Sequence, residues 1–378
     1  MTDQPIDIIE VKTKKQLRTF IHLPAKIHKG HTNWVPPLYM DEWEFFNPKK
    51  NEAFSYSDTI LLLAYEQGKC VGRIMGIVNH KYNDEHNEND ARFCFIETYD
   101  DYGVAETLLT AIEKWALAKN MTNLVGPLGF SDKDPQGLRI EGLDEPTIIA
   151  TICNYAYMID FVERFGFTKK VDLLSYKIPV PESFNDTYKR IYQRTLNNNK
   201  GLKLLSFAKR KQLKPYVKPV LKLTNHAFKD IYAFNPLTEK EMDEFANRYL
   251  MVIDPGFVKV IENQNKEVVA FILGMPDICE GIQKSKGYVW PVGFIHILRS
   301  QKKTKLVNLL LGGIREEYRN KGLDTVLGIE MLMEAQKRGI EYIDSHLILE
   351  TNVKMLAEPE KVGGVVYKRF RIYQKPLG

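Results

Sequence analysis

Two pairs of similar segments, each pair separated by 197 positions, give this chain an internal repeat. The segment Gly68–Gly76 resembles Asn265–Leu273, and each follows a short apolar run that predicts the first strand of a β-hairpin. Further along, Phe161–Phe167 resembles Glu358–Gly364, and both lead into a final strand-like segment. Two matched pairs in the same order favour a tandem duplication of one domain over a single large fold.

Each half shows the same predicted order of elements: a strand, a hairpin, a strand, a helix, a strand, a helix and a last strand. This order is typical of an α/β fold with a mixed sheet. A chain of 378 residues is long enough for two domains of about 150–200 residues each. We place the first domain at residues 1–180, a basic linker at 181–200 and the second domain at 201–378.

The composition is that of a folded protein and excludes several classes. Hydrophobic residues make up 44% of the chain, which is enough for a full core. There is no run of 18 apolar residues, and the N-terminal residues lack the basic and apolar regions of a signal peptide. The four cysteines are scattered without a Cys-x-x-Cys pair, so we expect reduced core residues of a cytoplasmic protein, no disulfide framework and no metal site.

The second half contains a strand-to-helix junction suited to an anion. Leu309–Leu311 is predicted to be a buried strand, Arg319–Gly322 a polar turn, and Leu323–Gly339 a helix with an apolar face. At such a junction, backbone N–H groups and the positive end of the helix dipole point at one place. The cationic side chains of Arg319 and Lys321 are the types that bind phosphate.

The spacing Arg319-x-x-Gly322-x-Asp324 resembles the loop with which the GCN5-related N-acetyltransferase (GNAT) superfamily holds the pyrophosphate of acyl-coenzyme A. Asp324 stands where that family usually has Gly or Ala. The order that follows, a strand, Asn352, a short helix, Gly363 and a final strand, is similar to the family's second motif. The resemblance implies an α/β fold of two tandem GNAT-like domains, each a mixed, mostly antiparallel sheet flanked by helices. It also implies two strands that splay apart around the pantetheine arm of the coenzyme.

By this resemblance the coenzyme binds in the second half, as acetyl-CoA or a longer acyl-CoA, and no metal is involved. The residues implied in coenzyme binding are Ile314, Arg319, Asn320, Lys321, Gly322, Leu323, Asp324 and Asn352. In the first half the corresponding turn, Glu97–Gly103, has three carboxylates and no Lys or Arg, so it repels a pyrophosphate. Two interpretations stay open for Glu97, Asp100 and Asp101: caps of the next helix, or contacts to a cationic amine substrate.

Acyl transfer from a thioester to an amine requires positioning of the reactants, a base for the ammonium group and a donor to the oxyanion. Glu350, at the end of a predicted strand Glu341–Leu349, is the preferred base if burial raises the pKa of its carboxyl group. His346 is the rival, because residues four apart share one face of a strand. Asn352 either orients the coenzyme or caps a helix. Pro359 stands where many GNAT proteins have the Tyr thought to protonate the departing thiolate.

Charge is concentrated in one segment. Lys189–Lys222 contains eleven Lys or Arg residues and no Asp or Glu, although the net charge of the chain is only +5. This segment is expected to be either a solvated helix face or a surface that binds an acyl carrier protein or an anionic membrane. If it binds a membrane, the protein would lie at the inner membrane face. Nucleic acid is not expected, because few aromatic residues are interleaved. The apolar stretch Tyr288–Leu298 with its basic flank Arg299–Lys305 fits an interfacial surface, a lid over an acyl channel or an internal hairpin.

These observations predict an N-acyltransferase that transfers an acyl group, acetyl by default, from coenzyme A to a primary amine of a small molecule or lipid. The alternative is a long-chain enzyme acting on a lipid or amino-acid amine, like the N-acyl amino acid synthases and bacterial ceramide synthases of the superfamily. Its donor would be acyl-CoA or acyl carrier protein. A non-catalytic acyl-ligand or protein-binding module is the alternative of another class, and Asp324 and Pro359 favour it.

Overall fold

The computed structural model describes residues 5–184, 186–229, 231–243 and 253–378. In the first half the chain forms, in order, β1 (Asp7–Glu10), α1 (Lys14–His22), α2 (Pro24–Ile27), α3 (Tyr39–Phe45), β2 (Ser57–Glu66), β3 (Lys69–Asn79), α4 (His80–His86), β4 (Asp90–Thr98), α5 (Tyr102–Ala118), β5 (Asn123–Gly126), β6 (Leu138–Glu141), α6 (Ala156–Arg164) and β7 (Thr168–Pro179).

The second half forms α7 (Asp186–Asn198), β8 (Lys203–Ser206), α8 (Lys214–Ala227), β9 (Val258–Glu262), β10 (Val268–Pro276), α9 (Cys279–Lys284), α10 (Gly293–Lys303), β11 (Leu306–Ile314), α11 (Leu323–Lys337), β12 (Tyr342–Asp344), β13 (Ile348–Leu349), α12 (Val353–Lys361) and β14 (Val365–Pro376). The strands described form one 14-stranded sheet, in which most neighbouring strands are antiparallel. The predicted α/β class with mostly antiparallel pairing is therefore confirmed.

The tandem repeat is visible in the elements themselves. The helices α6 and α12 begin at Ala156 and Val353, which are 197 positions apart. The strands β7 and β14 begin at Thr168 and Val365, with the same separation, and both contain 12 residues. Each half thus ends with an equivalent helix and strand, as the sequence predicts.

The last strand of each half crosses into the sheet of the other half. From the first half, β7 pairs with β12 and β13 of the second half. From the second half, β14 pairs with β5 and β6 of the first half. The two exchanged strands also pair with each other along most of their length, from Val365 opposite Lys177 to Gln374 opposite Thr168. The exchange joins the two halves into one sheet.

The long helix of each half packs its predicted apolar face on that sheet. On α5, Leu108 and Ile112 are fully buried, as are Val326 and Ala335 on α11. Burial of each large aliphatic side chain contributes roughly 1.5–3 kcal/mol, so these faces fix both helices on the sheet. The segment predicted as a basic linker, 181–200, contains α7, whose Tyr192 and Leu196 pack near α11.

In both halves the sheet opens between two parallel strands. In the second half, β11 and β12 pair only from Leu306 to Asn308, and β11 then continues to Ile314 paired with β10 alone. In the first half, β4 and β5 pair only from Asp90 to Arg92, and β4 then continues to Thr98. The splay implied by the GNAT resemblance is present in the second half and repeated in the first.

Two predicted segments differ from the structure. The single strand expected over Glu341–Leu349 is two short strands, β12 and β13, because the chain turns at His346, whose φ of 55° lies in the left-handed region. The stretch Tyr288–Leu298 is not an internal hairpin but a loop that leads into α10. No helix among the described residues has the length and apolar character needed to cross a bilayer.

Candidate active site

The predicted phosphate loop connects β11 to α11 and takes a backbone shape that glycine permits. Gly322 is the N-cap of α11, with a φ of 76°, and Asn320 has a φ of 61°. A side chain at Gly322 would be strained, and its Cβ would lie 3.1 Å from the side chain of Thr195. Because Gly322 has no side chain, the first turn of α11 receives no hydrogen bond from an N-cap side chain.

The turn that forms the predicted phosphate loop has free backbone N–H groups. Within the described part of the chain, the backbone N–H groups of residues 320–324 donate to no protein acceptor. Asp324, the departure from the family pattern, turns its carboxylate to the N–H of Thr325 at 2.9 Å and leaves the preceding N–H groups unblocked. Several free N–H groups at a helix N-terminus favour a phosphate.

The structure places the residues implied in coenzyme binding in two groups. Ile314, Arg319, Asn320, Asp324 and Asn352 line a cavity next to the loop. Leu323 is instead buried against Val326 and Leu327 in the core beneath α11. The ammonium group of Lys321 lies 4.6 Å from the centre of the Tyr318 ring, and the backbone oxygen of Lys321 accepts a hydrogen bond from Asn199 at 3.2 Å.

The cavity beside the loop is large and continuous across both halves. Its volume is about 3210 Å³, and its walls include the unpaired part of β11 from Leu309 to Ile314. It also reaches the unpaired part of β4, where Cys94, Phe95 and Glu97 line it. Pockets that hold a single drug-sized ligand typically have volumes of roughly 300–1,000 Å³, so this cavity has room for a donor and a large acceptor together.

His346 lies at the turn that separates β12 from β13, and its side chain lines the cavity. Its Nδ1 atom is buried without a hydrogen-bond partner, and its backbone N–H donates to Asp344 Oδ1 at 2.5 Å. Burial lowers the pKa of His346 below its ordinary value of 6.5, against the opposing effect of the Asp344 carboxylate. The imidazole is therefore neutral at neutral pH.

Glu350 lies beyond β13 and is held in hydrogen bonds away from His346. Its carboxylate forms an ion pair of 2.7 Å with Lys169 and accepts a hydrogen bond of 2.9 Å from the backbone N–H of Asp172. Both partners belong to β7, and Glu350 is not among the residues that line the cavity. The even spacing used to place Glu350 and His346 on one strand face does not apply, because the strand is interrupted between them.

Asn352 is the N-cap residue of α12, and Pro359 lies within this helix. The side chain of Asn352 caps this helix by accepting a hydrogen bond from the N–H of Met355 at 3.3 Å, and Asn352 also lines the cavity. The two interpretations given for Asn352 are thus compatible in space. Pro359 lies inside α12, and its carbonyl accepts a hydrogen bond from Gly364 at 2.9 Å.

The acidic turn of the first half is arranged differently from the loop of the second half. Asp101 caps α5 by accepting a hydrogen bond from Gly103 N–H at 2.8 Å, with Val104 N–H at 3.4 Å. Its carboxylate therefore occupies the position where a phosphate would bind. Glu97 lines the cavity and accepts a hydrogen bond from His28 Nε2 at 3.0 Å, whereas Asp100 is exposed.

A buried polar network behind His346 was not predicted from the sequence. Asp344 is fully buried at the end of β12, where it accepts hydrogen bonds from Ser175 Oγ at 2.7 Å and from the hydroxyl of Tyr367. Lys368 donates to that Tyr367 hydroxyl at 3.1 Å, and burial lowers the pKa of Lys368 to about 8. A carboxylate inside an apolar strand is a rare arrangement, and this was the available signal in the sequence.

The basic segment Lys189–Lys222 is partly neutralised by acidic residues that follow it. Lys218 lies 2.7 Å from the carboxylate of Asp243, and Lys222 lies 2.7 Å from that of Glu239. Both pairs are exposed and contribute little to stability, but they reduce the positive charge at this end of the segment. Among the described residues, no group of three or more His, Cys, Asp or Glu side chains is arranged to hold a metal ion.

Comparison with known proteins extends over the whole chain. No protein-family model matches it. The bacterial ceramide synthase of Caulobacter vibrioides is 29% identical over 384 residues, covering 100% of this chain and 99% of that protein. Protein YghO of Escherichia coli strain K12 is 24% identical over 371 residues, covering 96% of this chain and 94% of that protein.

A solved structure has the same two-domain arrangement. The tandem GNAT protein from the clavulanic acid biosynthesis pathway superposes with a TM-score of 0.56 at 11% identity, and the match covers 99% of each chain. At this identity the match establishes the fold alone. The chain therefore has the tandem, two-domain fold of that GNAT protein.

Proposed function

We propose that this protein joins a long-chain acyl group from acyl-coenzyme A to the primary amine of a long-chain amphiphile, forming an N-acyl lipid of the ceramide type. The observation that carries the proposal is the cavity of about 3210 Å³, which connects the phosphate loop to the openings of both sheet halves. Transfer of an acetyl group to a small amine would not require this volume. The full-length similarity to the ceramide synthase of C. vibrioides supports the same class of substrates.

The donor site consists of the loop Arg319–Asp324 and the unpaired edge of β11. The free N–H groups of the loop would bind the pyrophosphate, and the side chain of Arg319 would add a cationic fork. The pantetheine arm would then run along Leu309–Ile314, where β11 has no strand partner on the cavity side among the described residues. We assign no coenzyme to the first half, because Asp101 already caps the corresponding helix.

His346 is the proposed general base. It lines the cavity, its imidazole is neutral at neutral pH, and its Nδ1 atom has no protein partner. Glu350 is less suited to the role, because its carboxylate already binds Lys169 and the N–H of Asp172. Positioned bases of this kind typically accelerate proton transfer by about 10²–10⁴-fold.

In the proposed reaction, His346 removes one proton from the substrate ammonium group and passes it to solvent. The neutral nitrogen attacks the thioester carbonyl carbon, so that a C–N bond forms and the C–S bond breaks. The second proton leaves the nitrogen as the tetrahedral intermediate collapses, and it ends on the sulfur of free coenzyme A. Backbone N–H groups on the unpaired edge of β11 are the candidate donors to the oxyanion.

The proposal is tested by measuring products from palmitoyl-CoA and acetyl-CoA, each with a long-chain amino alcohol and with ethanolamine as acceptors. We expect the N-palmitoyl amide of the long-chain amino alcohol to form with the highest kcat/KM. The variant Arg319→Ala, measured with the same substrates, should raise the KM for the donor. A higher kcat/KM for acetylation of ethanolamine would refute the assignment of long-chain substrates, and absence of coenzyme binding in a calorimeter would refute the donor site.

A further inference from the structure

The loop and helix between β10 and β11 present an apolar surface to solvent. Its large exposed residues, which we call the interfacial patch, are Tyr288, Trp290, Val292, Phe294, Ile295 and Leu298. Their exposed fractions range from 37% for Phe294 and Ile295 to 71% for Trp290. Single exposed apolar residues are ordinary, but six within one loop and one helical face indicate an interaction surface.

The charge around the interfacial patch is of one sign. Residues 281–314 contain six Lys or Arg residues and no Asp or Glu. Two of the six are paired, Lys284 with Glu280 and Lys305 with Glu341. The other four are exposed and have no ion-pair partner in the part of the chain that the structure describes: Lys286, Arg299, Lys302 and Lys303. The patch is thus an apolar surface with a cationic border.

The interfacial patch is held in place from its inner side. The carbonyl of Gly287 accepts a hydrogen bond of 3.1 Å from the N–H of Tyr39, and the Tyr288 ring lies 4.9 Å from that of Tyr39. On the outer side, the rings of Trp290 and Phe294 are 5.4 Å apart. The contacts to the first half fix the loop, while the outward faces of the patch residues stay uncovered in the described structure.

The interfacial patch also borders the cavity. Trp290, Phe294 and Leu298 are exposed to solvent and at the same time line the cavity wall. If another surface were bound to the interfacial patch, a ligand could pass from that surface into the cavity without crossing open water. The position of the interfacial patch therefore connects it to the candidate active site, which an isolated apolar surface would not be.

We propose that the interfacial patch docks on the surface of an anionic lipid bilayer. Trp and Phe side chains beside Lys and Arg are the composition that binds at the boundary between headgroups and acyl chains. The cationic border complements anionic headgroups, whereas it would repel the same border on a second copy of this chain. The segment Lys189–Lys222 is less suited, because its Lys218 and Lys222 are ion-paired and Ile191 is its one large exposed apolar residue among those described.

The test measures sedimentation of the full-length protein with vesicles of phosphatidylcholine alone and of equal parts phosphatidylcholine and phosphatidylglycerol. No acyl substrate is present, so the outcome does not depend on the proposed enzymatic function. We expect binding to the anionic vesicles that weakens with added salt. The double variants Trp290→Ser/Phe294→Ser and Lys302→Glu/Lys303→Glu should each weaken it by about tenfold or more, because each basic residue alone contributes about fivefold.

Matched controls distinguish binding by the interfacial patch from nonspecific electrostatic and hydrophobic binding. The variant Arg194→Glu/Lys200→Glu changes the net charge as much as Lys302→Glu/Lys303→Glu does, and Leu117→Ser removes an exposed apolar residue of α5. Both controls should bind within about twofold of the wild type. Thermal unfolding of every variant checks the fold, and Trp290→Phe, which keeps an aromatic ring, should retain binding but lose the blue shift of tryptophan emission on vesicles.

Three results would overturn the proposal. One is absence of binding to anionic vesicles, and another is equal loss of binding in the Arg194→Glu/Lys200→Glu control. The third is a concentration-dependent dimer, measured by light scattering without lipid, that disappears in Trp290→Ser/Phe294→Ser. That result would assign the interfacial patch to a second copy of the chain.

Discussion

Replacement of His346 tests the proposed base directly, and the structure dictates which substitution to use. His346 has a φ of 55°, a conformation that costs most L-residues roughly 1–2 kcal/mol but that Asn adopts readily. His346→Asn therefore removes the base with little backbone strain, whereas His346→Ala would combine both effects. We expect His346→Asn to lower kcat by about 10²–10⁴-fold, equivalent to about 3–5.5 kcal/mol of transition-state stabilisation.

The pH dependence of the reaction gives this prediction a second readout. Burial lowers the pKa of His346 below 6.5, so the base stays neutral through neutral pH and becomes protonated only in more acidic solution. In the wild type, kcat/KM should fall only in solution more acidic than the ordinary histidine pKa, and this acid limb should be absent in His346→Asn. The free energy of unfolding should also fall as the solution becomes more acidic, because a buried neutral His becomes protonated on unfolding. Its contribution to the free energy of unfolding is present above the ordinary pKa and is lost as the pH falls.

The matched control for His346→Asn is Glu350→Gln, which keeps the size and removes the charge of the rival base. Glu350 pairs with Lys169, whose side chain is 40% exposed, so we expect a loss of less than about 1 kcal/mol in stability and a kcat within about threefold of the wild type. The assay is steady-state kinetics across pH with one donor and acceptor pair. If Glu350→Gln loses more than about a hundredfold while His346→Asn retains activity and its acid limb, the assignment of the base is refuted.

Three further predictions concern the loop, the buried network and the exchanged strands. Arg319→Ala should weaken acyl-CoA binding about tenfold in a calorimeter, because a charge-assisted contact to phosphate is lost, whereas Lys14→Ala, at an exposed position of α1 in the first half, should leave binding unchanged. Asp344→Ala should lower the free energy of unfolding by about 3 kcal/mol or more in urea titrations, since Ser175 and Tyr367 lose their acceptor beside a buried Lys368, and a loss below 1 kcal/mol would contradict this account. The isolated fragment 201–378 should fail to give a cooperative thermal transition, because β12 and β14 lose their partner β7; a stable, dispersed NMR spectrum of the fragment would show otherwise.

The sequence predicted the fold well because its strongest signals are local and repeated. The helix predicted over Val104–Ala118 is observed over Tyr102–Ala118, and that predicted from Leu323 ends at Lys337 instead of Gly339. These helices are recognisable because their apolar spacing has a period of 3.6 residues. The exchange of β7 and β14 leaves no comparable pattern in the sequence. A strand has the same alternation of apolar and polar residues whether it pairs within its own half or with the other half.

The site was predicted less completely, because its geometry depends on where the chain departs from regular structure. The loop that we propose for phosphate binding was predicted from the spacing of Arg319 and Gly322. The placement of His346 on the same strand face as Glu350 depended on one continuous strand, which the turn at His346 interrupts. No residue spacing shows that Ser175, far away in sequence, supplies a hydrogen bond to Asp344. Contacts across such a distance are set by the sheet pairing, which the sequence alone leaves open.

The strand exchange explains why a half without a coenzyme loop is still part of the site. The turn that carries His346 is held by β7 of the first half: Ser345 N–H donates to the carbonyl of Tyr176 at 3.0 Å, and Tyr176 N–H donates to Ser345 Oγ at 2.9 Å. The same strand supplies Ser175 to Asp344, whose other carboxylate oxygen accepts the N–H of His346. The position of the proposed base therefore depends on a strand from the half whose own helix is capped by Asp101. Loss of coenzyme binding in that half would leave this supporting role intact, so the two halves can diverge in chemistry while remaining inseparable in structure.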